Sequence, residues 1–452
     1  MAPLVLKFFK GLVGNKKWLV LFFLLVNKVF SQRLEFNFKC DLNNKILFLE
    51  VYKGYELLKI DSAVVKESKV VFNKRLEKGS YAINFSDSNR FDFIVNPVEK
   101  RISIKFNDCR LINSAIVVES DENKLFWDYK YYSKNVSEKI YEERLKQSNV
   151  PRSDASMIAF YEDNIQSLNA KKKLYLTELA KNNSHSFFSE SSLLFERLNE
   201  TYTSKLKGQE EMLKFIPFKK EAYLNTTFFP AAVMVFLQNH TEYTEAGFKA
   251  AVDKILNAAK VNEVVYNFHL NFLLDLFKRV GPDVIFDYLV EQYLLKGSCN
   301  EGYSKDSYRK IVMEYNSIQP GVRAPDFEIF SEQVKYNLQS ILSTMKHKEA
   351  LLFFYSSHCE FCHNAISQIQ QNKGSFSNID IVFISLDTDL ELWKNYNDIH
   401  RLNGLHWCDL KGWKSDIAQK YLVHRTPTFY KIDSKGIIIS KGSSLEAVIS
   451  EK

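Results

Sequence analysis

The feature that most constrains this chain is a pair of cysteines, with two residues between them, that follows a short apolar run. The run Ala350–Tyr355 has the length and composition of a buried strand, and the stretch near 361–373 has a helical pattern. A strand that ends just before a helix places Cys359 at the helix N-terminus, where backbone N–H groups and the helix dipole favour an anion. Cys362 then lies one turn into the helix, close enough to form a disulfide with Cys359. The pair therefore predicts thiol–disulfide exchange, in which Cys359 attacks and Cys362 resolves the mixed disulfide.

The residues around the pair alternate between strand and helix patterns. Ile379–Ile384 and Thr428–Ile432 are further apolar runs, and Gly436–Ser440 is predicted to pair with the second of them in a hairpin. Helical patterns near 389–400 and 413–421 lie between these runs. The order strand–helix–strand–helix, followed by a hairpin and a terminal helix, indicates an α/β domain.

The whole chain has 452 residues, enough for about three domains. Residues 33–120 contain short alternating strand patterns separated by Asn, Asp, Gly and Pro, which predict an antiparallel β-sandwich. Residues 121–318 are poor in proline and predict an all-α domain, and residues 319–452 form the α/β domain. Pro320 and Pro325 mark the last boundary because proline breaks helices and restricts its neighbours.

One apolar face can be identified within the helical region. Val265, Phe268, Phe272 and Leu276 recur at helical spacing. We interpret this stripe as core packing rather than as a cofactor site, because an apolar stripe on a helix usually faces the protein interior.

The first 32 residues are predicted to be a signal peptide. They hold five lysines and no acid, and the apolar run Trp18–Val26 is followed by Ser31 and Gln32. The run is short for a transmembrane helix and is interrupted by Asn27. A cleaved signal is favoured over an uncleaved anchor and over a buried N-terminal helix. Export would place the protein in the periplasm or the cell envelope.

The charge balance argues against a nucleic-acid partner. The formal net charge is +7, of which five units come from the first 32 residues, so the rest of the chain carries 7 − 5 = +2. A chain body without a strong basic excess lacks the electrostatic footprint of nucleic-acid binding. We expect membrane contact only through an uncleaved N-terminus.

Four further cysteines lie outside the pair. Cys40 and Cys109 both fall in the predicted sandwich and could either form a disulfide or be buried small hydrophobic residues. Cys299 closes the helical region and is interpreted as a lone buried thiol. Cys408 lies within the α/β domain, where a structural role is favoured over exchange with the pair.

The C-terminal third resembles the thioredoxin superfamily. A strand, a Cys-x-x-Cys sequence that opens a helix, and Thr426-Pro427 before a hairpin carry the resemblance. The stretches Pro320–Phe327, Ile384–Asp387 and Trp407–Asp409 resemble the TlpA-type exported branch. The resemblance implies a thioredoxin fold in which Pro427 has a cis peptide bond and packs against the cysteine pair. It also implies that the Thr426 backbone binds the substrate chain.

The upstream regions are similar to the β-domain and the helical domain that precede such modules in exported bacterial proteins. Ile60–Ala63 in the β region and Phe277–Asp283 in the helical region carry this resemblance. It implies no specific role for either domain.

Two departures from the thioredoxin pattern concern proton transfer. Phe353 occupies a position where thioredoxins often have a buried acid, and His363–Ile366 lacks the glutamate that often follows the second cysteine in TlpA-type reductases. A buried carboxylate would accept the proton of the resolving thiol. The sequence therefore assigns no proton acceptor, and water is one alternative.

Four residues around the pair are candidates for tuning it: His358, Glu360, Phe361 and His363. A protonated histidine would stabilise a thiolate, although flanking histidines in an exposed loop are as often incidental. Glu360 lies between the thiols and opposes a thiolate by its charge.

These features predict an exported thiol–disulfide oxidoreductase, and the resemblance favours a reductase. Its only redox group would be the Cys359–Cys362 disulfide, with no further cofactor. Its partners would be protein thiols and disulfides as substrates, together with a thiol protein as electron donor.

Other interpretations of the same residues stay open. Cys359–His363 also fits the Cys-x-x-Cys-His pattern of c-type haem attachment, and zinc binding would need a second ligand pair that the sequence lacks. A peroxidase would need a serine or threonine three residues before Cys359, and Ser356 meets this requirement. It would also need a proline four residues earlier, where this chain has Leu352. The chain could also be a cell-envelope binding protein that carries a thioredoxin-fold module.

Overall fold

A computed structural model of the protein describes residues 31–86, 89–111, 115–203, 208–296, 305–331, 334–372, 374, 376–400, 402 and 404–450. The predicted signal segment up to residue 30 and Cys299 lie outside these residues. The chain divides into two compact units. The first extends to Thr241 and takes in Asn257–Val265, and the second consists of Glu242–Leu256 and the chain from Tyr266 onwards.

The first unit begins with eight strands. They are β1 (Gln32–Phe38), β2 (Ile46–Lys53), β3 (Glu56–Val64), β4 (Lys69–Lys74), β5 (Gly79–Ser86), β6 (Asn89–Val95), β7 (Arg101–Phe106) and β8 (Ala115–Glu119). Two four-stranded sheets result, with the orders β4-β1-β7-β8 and β3-β2-β5-β6. The predicted sandwich is therefore present. Its described strand pairs are antiparallel except β1 and β7, which run parallel and are joined by a long connection that contains β4 and the four strands of the other sheet.

The two sheets enclose one apolar core. Alternate residues of β1 and β7 point into it, so that Leu34, Phe36, Ile102 and Ile104 are completely buried, as the period of two along a strand requires. Trp127 covers this core and stacks on Phe91, with ring centroids 4.5 Å apart.

A disulfide joins the residues that follow the two parallel strands. Cys40 and Cys109 are bonded, with Cα atoms 5.5 Å apart and a sequence separation of 69. Closing a loop of that size restricts the unfolded chain and contributes about 4 kcal/mol by loop entropy. Of the two alternatives that the sequence left open for these cysteines, the structure has the disulfide.

Helices follow the sandwich. They are α1 (Asp121–Ser148), α2 (Ala155–Asn182), α3 (Phe187–Thr203), α4 (Gln209–Phe215), α5 (Phe228–Asn239), α6 (Glu245–Ala259), α7 (Glu263–Arg279), α8 (Asp283–Leu289) and α9 (Lys305–Asn316). The buried carboxylate of Glu122 accepts hydrogen bonds from the backbone N–H groups of Phe187 and Phe188, which otherwise have no partner at the start of α3. Glu122 on α1 thus stabilises the N-terminus of α3. None of the described helices is long and apolar enough to cross a membrane.

The apolar face predicted for α7 is wrong in part. Of the four residues in the predicted stripe only Val265 is buried, whereas Phe268, Phe272 and Leu276 are half-buried. The buried leucines and phenylalanine lie on the adjacent face: Leu270, Leu273, Leu274 and Phe277. Helical spacing fits both faces, and packing against the rest of the second unit selects the leucine-rich one.

The remaining elements form the thioredoxin-like part of the second unit. Its strands are β9 (Glu328–Ser331), β10 (Val334–Asn337), β11 (Glu349–Tyr355), β12 (Ile379–Ser385), β13 (Leu405–Cys408), β14 (Thr428–Asp433) and β15 (Ile438–Gly442). Its helices are α10 (Leu338–Thr344), α11 (Glu360–Gln371), α12 (Leu390–His400), α13 (Asp416–Lys420) and α14 (Leu445–Ser450). Five of the strands make one sheet in the order β13-β12-β11-β14-β15.

Strand β11 is the centre of this sheet and carries the chain to the cysteine pair. It pairs parallel with β12 and antiparallel with β14. Leu352 and Phe354 belong to the core on one face of the sheet, and Leu351 and Phe353 to the core on the other. A strand that is buried on both faces has an unbroken run of apolar residues, and β11 could therefore be predicted from the sequence. The structure thus shows a multidomain chain with a β-sandwich, a helical region and a C-terminal α/β sheet.

Glu35 is a buried charge on the otherwise exposed face of β1. Its carboxylate lies 2.7 Å from Lys69 Nζ, 3.2 Å from Arg33 Nη2 and 3.1 Å from Arg101 Nη2. The hydrogen bond from Lys69, with those from neighbouring side chains, lowers the pKa of Glu35 from 4.5 to about 2. A carboxyl group with a lowered pKa in the folded state stabilises the fold above its unfolded pKa, and loses that contribution as the pH falls toward 2.

We predict that Glu35→Gln lowers the free energy of unfolding by about 2 kcal/mol at pH 7, a value reduced for the solvent exposure of the three cations. The deficit should shrink between pH 5 and pH 2, because the wild-type carboxylate becomes protonated there. Urea unfolding of both proteins across this pH range measures it. A deficit that is independent of pH would contradict the assignment.

Candidate active site

Cys359 occupies the residue that caps the N-terminus of α11. Its backbone is extended, and its Sγ accepts a hydrogen bond from the Cys362 N–H at 3.2 Å. An N-cap side chain that accepts from the first helical turn is the local arrangement that also stabilises a negative charge on that atom. The half-buried Cys359 therefore has the position that favours a nucleophilic thiolate.

Cys362 differs from Cys359 in its exposure. It is completely buried, and burial raises the pKa of its thiol, with a further contribution from its hydrogen bond with Cys359. No disulfide joins the two cysteines in this structure. The accessible sulfur is thus the one that can attack, and the buried sulfur is the one that can resolve.

The Thr426–Pro427 loop lies against the pair. The peptide bond between these residues is cis, the conformation that the family resemblance implies. Cys359 Sγ donates a hydrogen bond to the Thr426 carbonyl at 3.2 Å. Thr428 begins β14 and is the partner of Phe354 near the carboxyl end of β11. The sheet therefore brings together two segments that are 67 residues apart in sequence.

Asp387 is a site residue to which the sequence analysis gave no role. Its carboxylate is almost completely buried and accepts hydrogen bonds from the Ser356 hydroxyl at 2.8 Å, the Ser357 N–H at 3.0 Å and the Ser385 hydroxyl at 2.7 Å. Ser356 and Ser357 lie in the loop between β11 and Cys359. Asp387 thus holds this loop from the end of the adjacent strand. Its signal in the sequence is an acid directly after a buried strand, within the TlpA-like stretch.

The four tuning candidates lie in different surroundings. His358 is exposed, with its Nδ1 3.8 Å from the Asp387 carboxylate. Glu360 is exposed on the first turn of α11, and Phe361 is 74% exposed. His363 is half-buried, and its Nε2–H donates to the Ser357 carbonyl at 2.8 Å. His363 therefore supports the loop before Cys359 through a hydrogen bond that a neutral imidazole can make.

Tyr396 is the buried polar group on the other side of His363. Its ring stacks on that of His363 at 5.1 Å, and its hydroxyl has no hydrogen-bond partner among the described residues. Burial raises the pKa of Tyr396, and the charges of Cys362 and Cys359 make smaller contributions in the same direction. The phenol is therefore neutral at physiological pH and cannot accept a proton from either thiol. Phe353, at the position of the acid in thioredoxins, packs on Phe429 with ring centroids 4.6 Å apart.

Cys408 reaches the same edge of the sheet from β13. Its thiol donates to the Asp387 carbonyl at 3.3 Å, and burial raises its pKa. Both properties make it less reactive than an exposed thiol. Among the described residues no group of three histidine, cysteine or acidic side chains is placed to hold a metal ion.

A surface cavity of about 450 Å³ opens beside the pair. Its lining residues come from α11, from the Thr426–Pro427 loop and from α14, and they include Phe361, Gln368, Arg425 and Leu445. The exposed ring of Phe361 and the cis-proline loop thus border one groove, and Thr426 of that loop is the residue whose carbonyl contacts Cys359 Sγ.

Comparison with known proteins gives a family match in the C-terminal third and similar solved structures that cover different shares of the chain. Residues 320–441 match the AhpC/TSA family, and no curated protein matches the chain. A thiol-disulfide oxidoreductase from Bacteroides fragilis is 24% identical over 28% of this chain and 93% of its own, with a TM-score of 0.25. The thioredoxin domain of a thiol-disulfide oxidoreductase from Bacteroides vulgatus is 19% identical over 29% of this chain and 94% of its own, with a TM-score of 0.26. A thioredoxin-like protein from Bacteroides caccae covers 54% of this chain with 92% of its own at 14% identity, with a TM-score of 0.34. With the strand order, the family match gives the C-terminal part a thiol–disulfide oxidoreductase-like fold.

We predict that iodoacetamide at pH 7 alkylates Cys359 of the reduced protein and spares Cys362. Cys362 is completely buried, and because its pKa is raised it stays a thiol well above pH 8. Peptide mass spectrometry after a brief reaction measures the labelling of each site. In denaturant Cys362 should be labelled as well, which is the control, and equal labelling in the folded protein would contradict the assignment of roles.

We predict that Asp387→Ala lowers the free energy of unfolding by about 3 kcal/mol, because it leaves the buried Ser385 hydroxyl and the half-buried donors of Ser356 and Ser357 without their acceptor. Asp387→Asn keeps one carbonyl oxygen and should cost less. The matched control is Asp389→Ala, which removes an exposed acceptor for the Glu391 and Leu392 N–H groups at the start of α12 and should cost about 1 kcal/mol. Urea unfolding compares the three. If the two alanine variants lose the same stability, Asp387 does not hold the loop.

Proposed function

We propose that this chain, whose residues 320–441 form a domain of the thioredoxin superfamily, is an exported thiol–disulfide oxidoreductase that reduces protein disulfides through Cys359 and Cys362. The observation that carries the proposal is the arrangement of the two sulfurs. One is accessible, lies at a helix N-terminus and contacts a cis-proline loop, and the other is buried one turn away. This is the asymmetry that a two-step exchange needs.

In the first step the Cys359 thiolate attacks one sulfur of a client disulfide. The client S–S bond breaks, a bond forms between Cys359 Sγ and the attacked sulfur, and the other client sulfur leaves as a thiolate that takes a proton from water. The helix N-terminus stabilises the thiolate before the attack. The backbone of Thr426 lies 3.2 Å from the reacting sulfur, where it can pair with the client chain.

In the second step Cys362 attacks the Cys359 sulfur. Its thiol loses a proton, the Cys359–Cys362 bond forms, and the second client thiolate leaves and is protonated. The client has then gained two electrons and two protons, and the pair has been oxidised to a disulfide. Because burial raises the pKa of Cys362, this step should limit the rate at low pH and speed up as the pH rises. With no carboxylate at the position of Phe353, water is the proposed proton acceptor.

A thiol protein that donates two electrons would return the pair to its reduced form. Export to the periplasm or cell envelope is part of the proposal and rests on the basic, then apolar, N-terminal sequence. The Cys40–Cys109 disulfide supports it, because disulfides persist in oxidising compartments.

Two alternatives from the sequence have less support at this site. A thioether link to haem would require both sulfurs to reach the haem, whereas Cys362 is completely buried and the His363 ring is held by Ser357 and Tyr396. A peroxidase would require a proline at Leu352, which is instead a fully buried residue in the middle of β11.

We predict that Cys359→Ser abolishes insulin reduction, with a loss of at least about 1,000-fold, because the nucleophile is removed. Cys362→Ser should also stop turnover, but should accumulate a mixed disulfide between Cys359 and the client, which non-reducing electrophoresis detects. Cys408→Ser is the control and should keep full activity. Retained activity in Cys359→Ser, or in a variant that combines Cys359→Ser with Cys362→Ser, would refute the proposed function.

The direction of the reaction can be measured separately. Equilibration of the wild-type pair with glutathione should give a reduction potential near that of thioredoxin rather than that of DsbA, because a reductase must lose electrons readily. A potential near that of DsbA would show that the protein donates disulfides.

A further inference from the structure

Arg425 directly precedes the cis-proline loop, and its side chain is held by the helical region. Its Nη2 group donates to the Phe277 carbonyl at 2.6 Å and to the Lys278 carbonyl at 3.2 Å, and lies 3.1 Å from the Asp283 carboxylate. These contacts lie within the second compact unit. The arginine side chain is only 19% exposed, so the ion pair is shielded from solvent more than most surface pairs.

The Phe277–Asp283 segment supplies the acceptors for this guanidinium group. Phe277 and Lys278 lie in the last turn of α7, where carbonyl groups have no partner within the helix and carry the negative end of its dipole. Pro282 then starts a new helix, which brings Asp283 back beside those carbonyls. A Cβ atom on Gly281 would collide with the Phe277 ring, so the tight turn requires glycine. This segment is the Phe277–Asp283 stretch that resembles other exported chains and that the proposed chemistry leaves unexplained.

The main chain of Arg425 connects this anchor to the active site. Its carbonyl accepts a hydrogen bond from the Thr428 hydroxyl at 2.8 Å, which closes the loop around Thr426 and Pro427. The Thr426 carbonyl in turn accepts from Cys359 Sγ. A continuous set of contacts therefore runs from the end of α7, through Arg425, to the atom that contacts the nucleophile.

We infer that Arg425 and the Phe277–Asp283 segment position the Thr426–Pro427 loop for binding of an extended protein client. The inference rests on the proposed function. A client chain that pairs with the Thr426 backbone needs that backbone at a fixed place and orientation, and an ordered loop binds more tightly because less conformational entropy is lost on binding. The helical region thereby contributes to substrate affinity without touching the sulfurs.

A neighbouring ion pair supplies a matched control. Lys441 on β15 lies 3.5 Å from Asp287 on α8, so it joins the same helical segment to the same sheet. This pair lies away from the loop but lines the same cavity, of about 550 Å³, as Arg425 and Asp283. Removing it perturbs the packing of the segment on the sheet but leaves the guanidinium anchor intact.

The test compares the full-length variants Arg425→Gln, Arg425→Lys, Asp283→Asn and Asp287→Asn with the wild type, using insulin and a small aromatic disulfide as substrates. We expect Arg425→Gln to raise the KM for insulin about tenfold with kcat changed less than about twofold, because loss of uniform binding raises KM alone. The small disulfide makes few contacts with the loop, so its kcat/KM should stay within twofold. Arg425→Lys should recover only part of the insulin KM, since an ammonium group cannot bond three acceptors in a fork.

Two outcomes would overturn the inference while leaving the proposed function in place. One is an unchanged insulin KM in both Arg425→Gln and Asp283→Asn. The other is an equal rise in Asp287→Asn, which would mean that general packing of the segment, rather than the anchor, is responsible. Absence of any disulfide-reducing activity in the wild type would instead refute the proposed function.

Amide hydrogen exchange gives a readout that does not depend on activity. Peptides that cover 422–430 should exchange at least fivefold faster in Arg425→Gln and Asp283→Asn than in the wild type and Asp287→Asn, because the loop is no longer held. Equal exchange in all four proteins would also overturn the inference, whatever the kinetic result. Unchanged thermal stability of the variants would show that the effect is local.

Discussion

The chemistry of this protein depends on one local constraint: a strand buried on both faces ends where a helix begins, and the residue at the junction is a cysteine. Burial of β11 fixes the position of Tyr355 at the carboxyl edge of the sheet, and the first turn of α11 then presents its N–H groups to Cys359 Sγ. The sulfur needs no strained backbone and no external charge to be a favourable place for an anion. The pairings of β11 with β12 and β14, and the contact of the Thr426–Pro427 loop, determine which groups surround that sulfur atom.

The two sulfurs differ because Cys359 caps the first turn of α11, whereas Cys362 lies one turn inside the helix. Cys362 is completely buried in the core that contains Phe353 and Phe383, and Cys359 packs against that core but stays half-buried. Desolvation disfavours the charged form of a thiol, so burial keeps Cys362 protonated until the proposed reaction brings a mixed disulfide next to it. The distance of one helical turn thus separates the accessible sulfur from the buried one.

The sequence could predict those parts of the site that depend on local patterns. The apolar run of β11, the helix that follows it and the Thr-Pro dipeptide are each recognisable within ten residues, and the structure has them at the expected positions. The Asp387 network could not be predicted, because Asp387 meets Ser357 across 30 residues and only the parallel pairing of β11 with β12 brings them together. The buried face of α7 was assigned wrongly for a related reason, since helical periodicity offers two apolar faces and tertiary packing selects between them.

Two segments meet at the nucleophile, and each is held by a residue that is distant from it in sequence. On one side, Asp387 at the end of β12 fixes the segment that leads into Cys359, and on the other, Arg425 ties the cis-proline segment to the end of α7. Arg425 and Phe277 are 148 residues apart, and their contact lies inside one compact unit that contains both the sheet and the last helices of the helical region. In the proposed function, the reactive sulfur and the backbone that would pair with a client therefore have separate supports, so a change at the Arg425 anchor would alter client affinity without altering the thiol chemistry. The helical region would then act on client binding through the contacts of one arginine side chain.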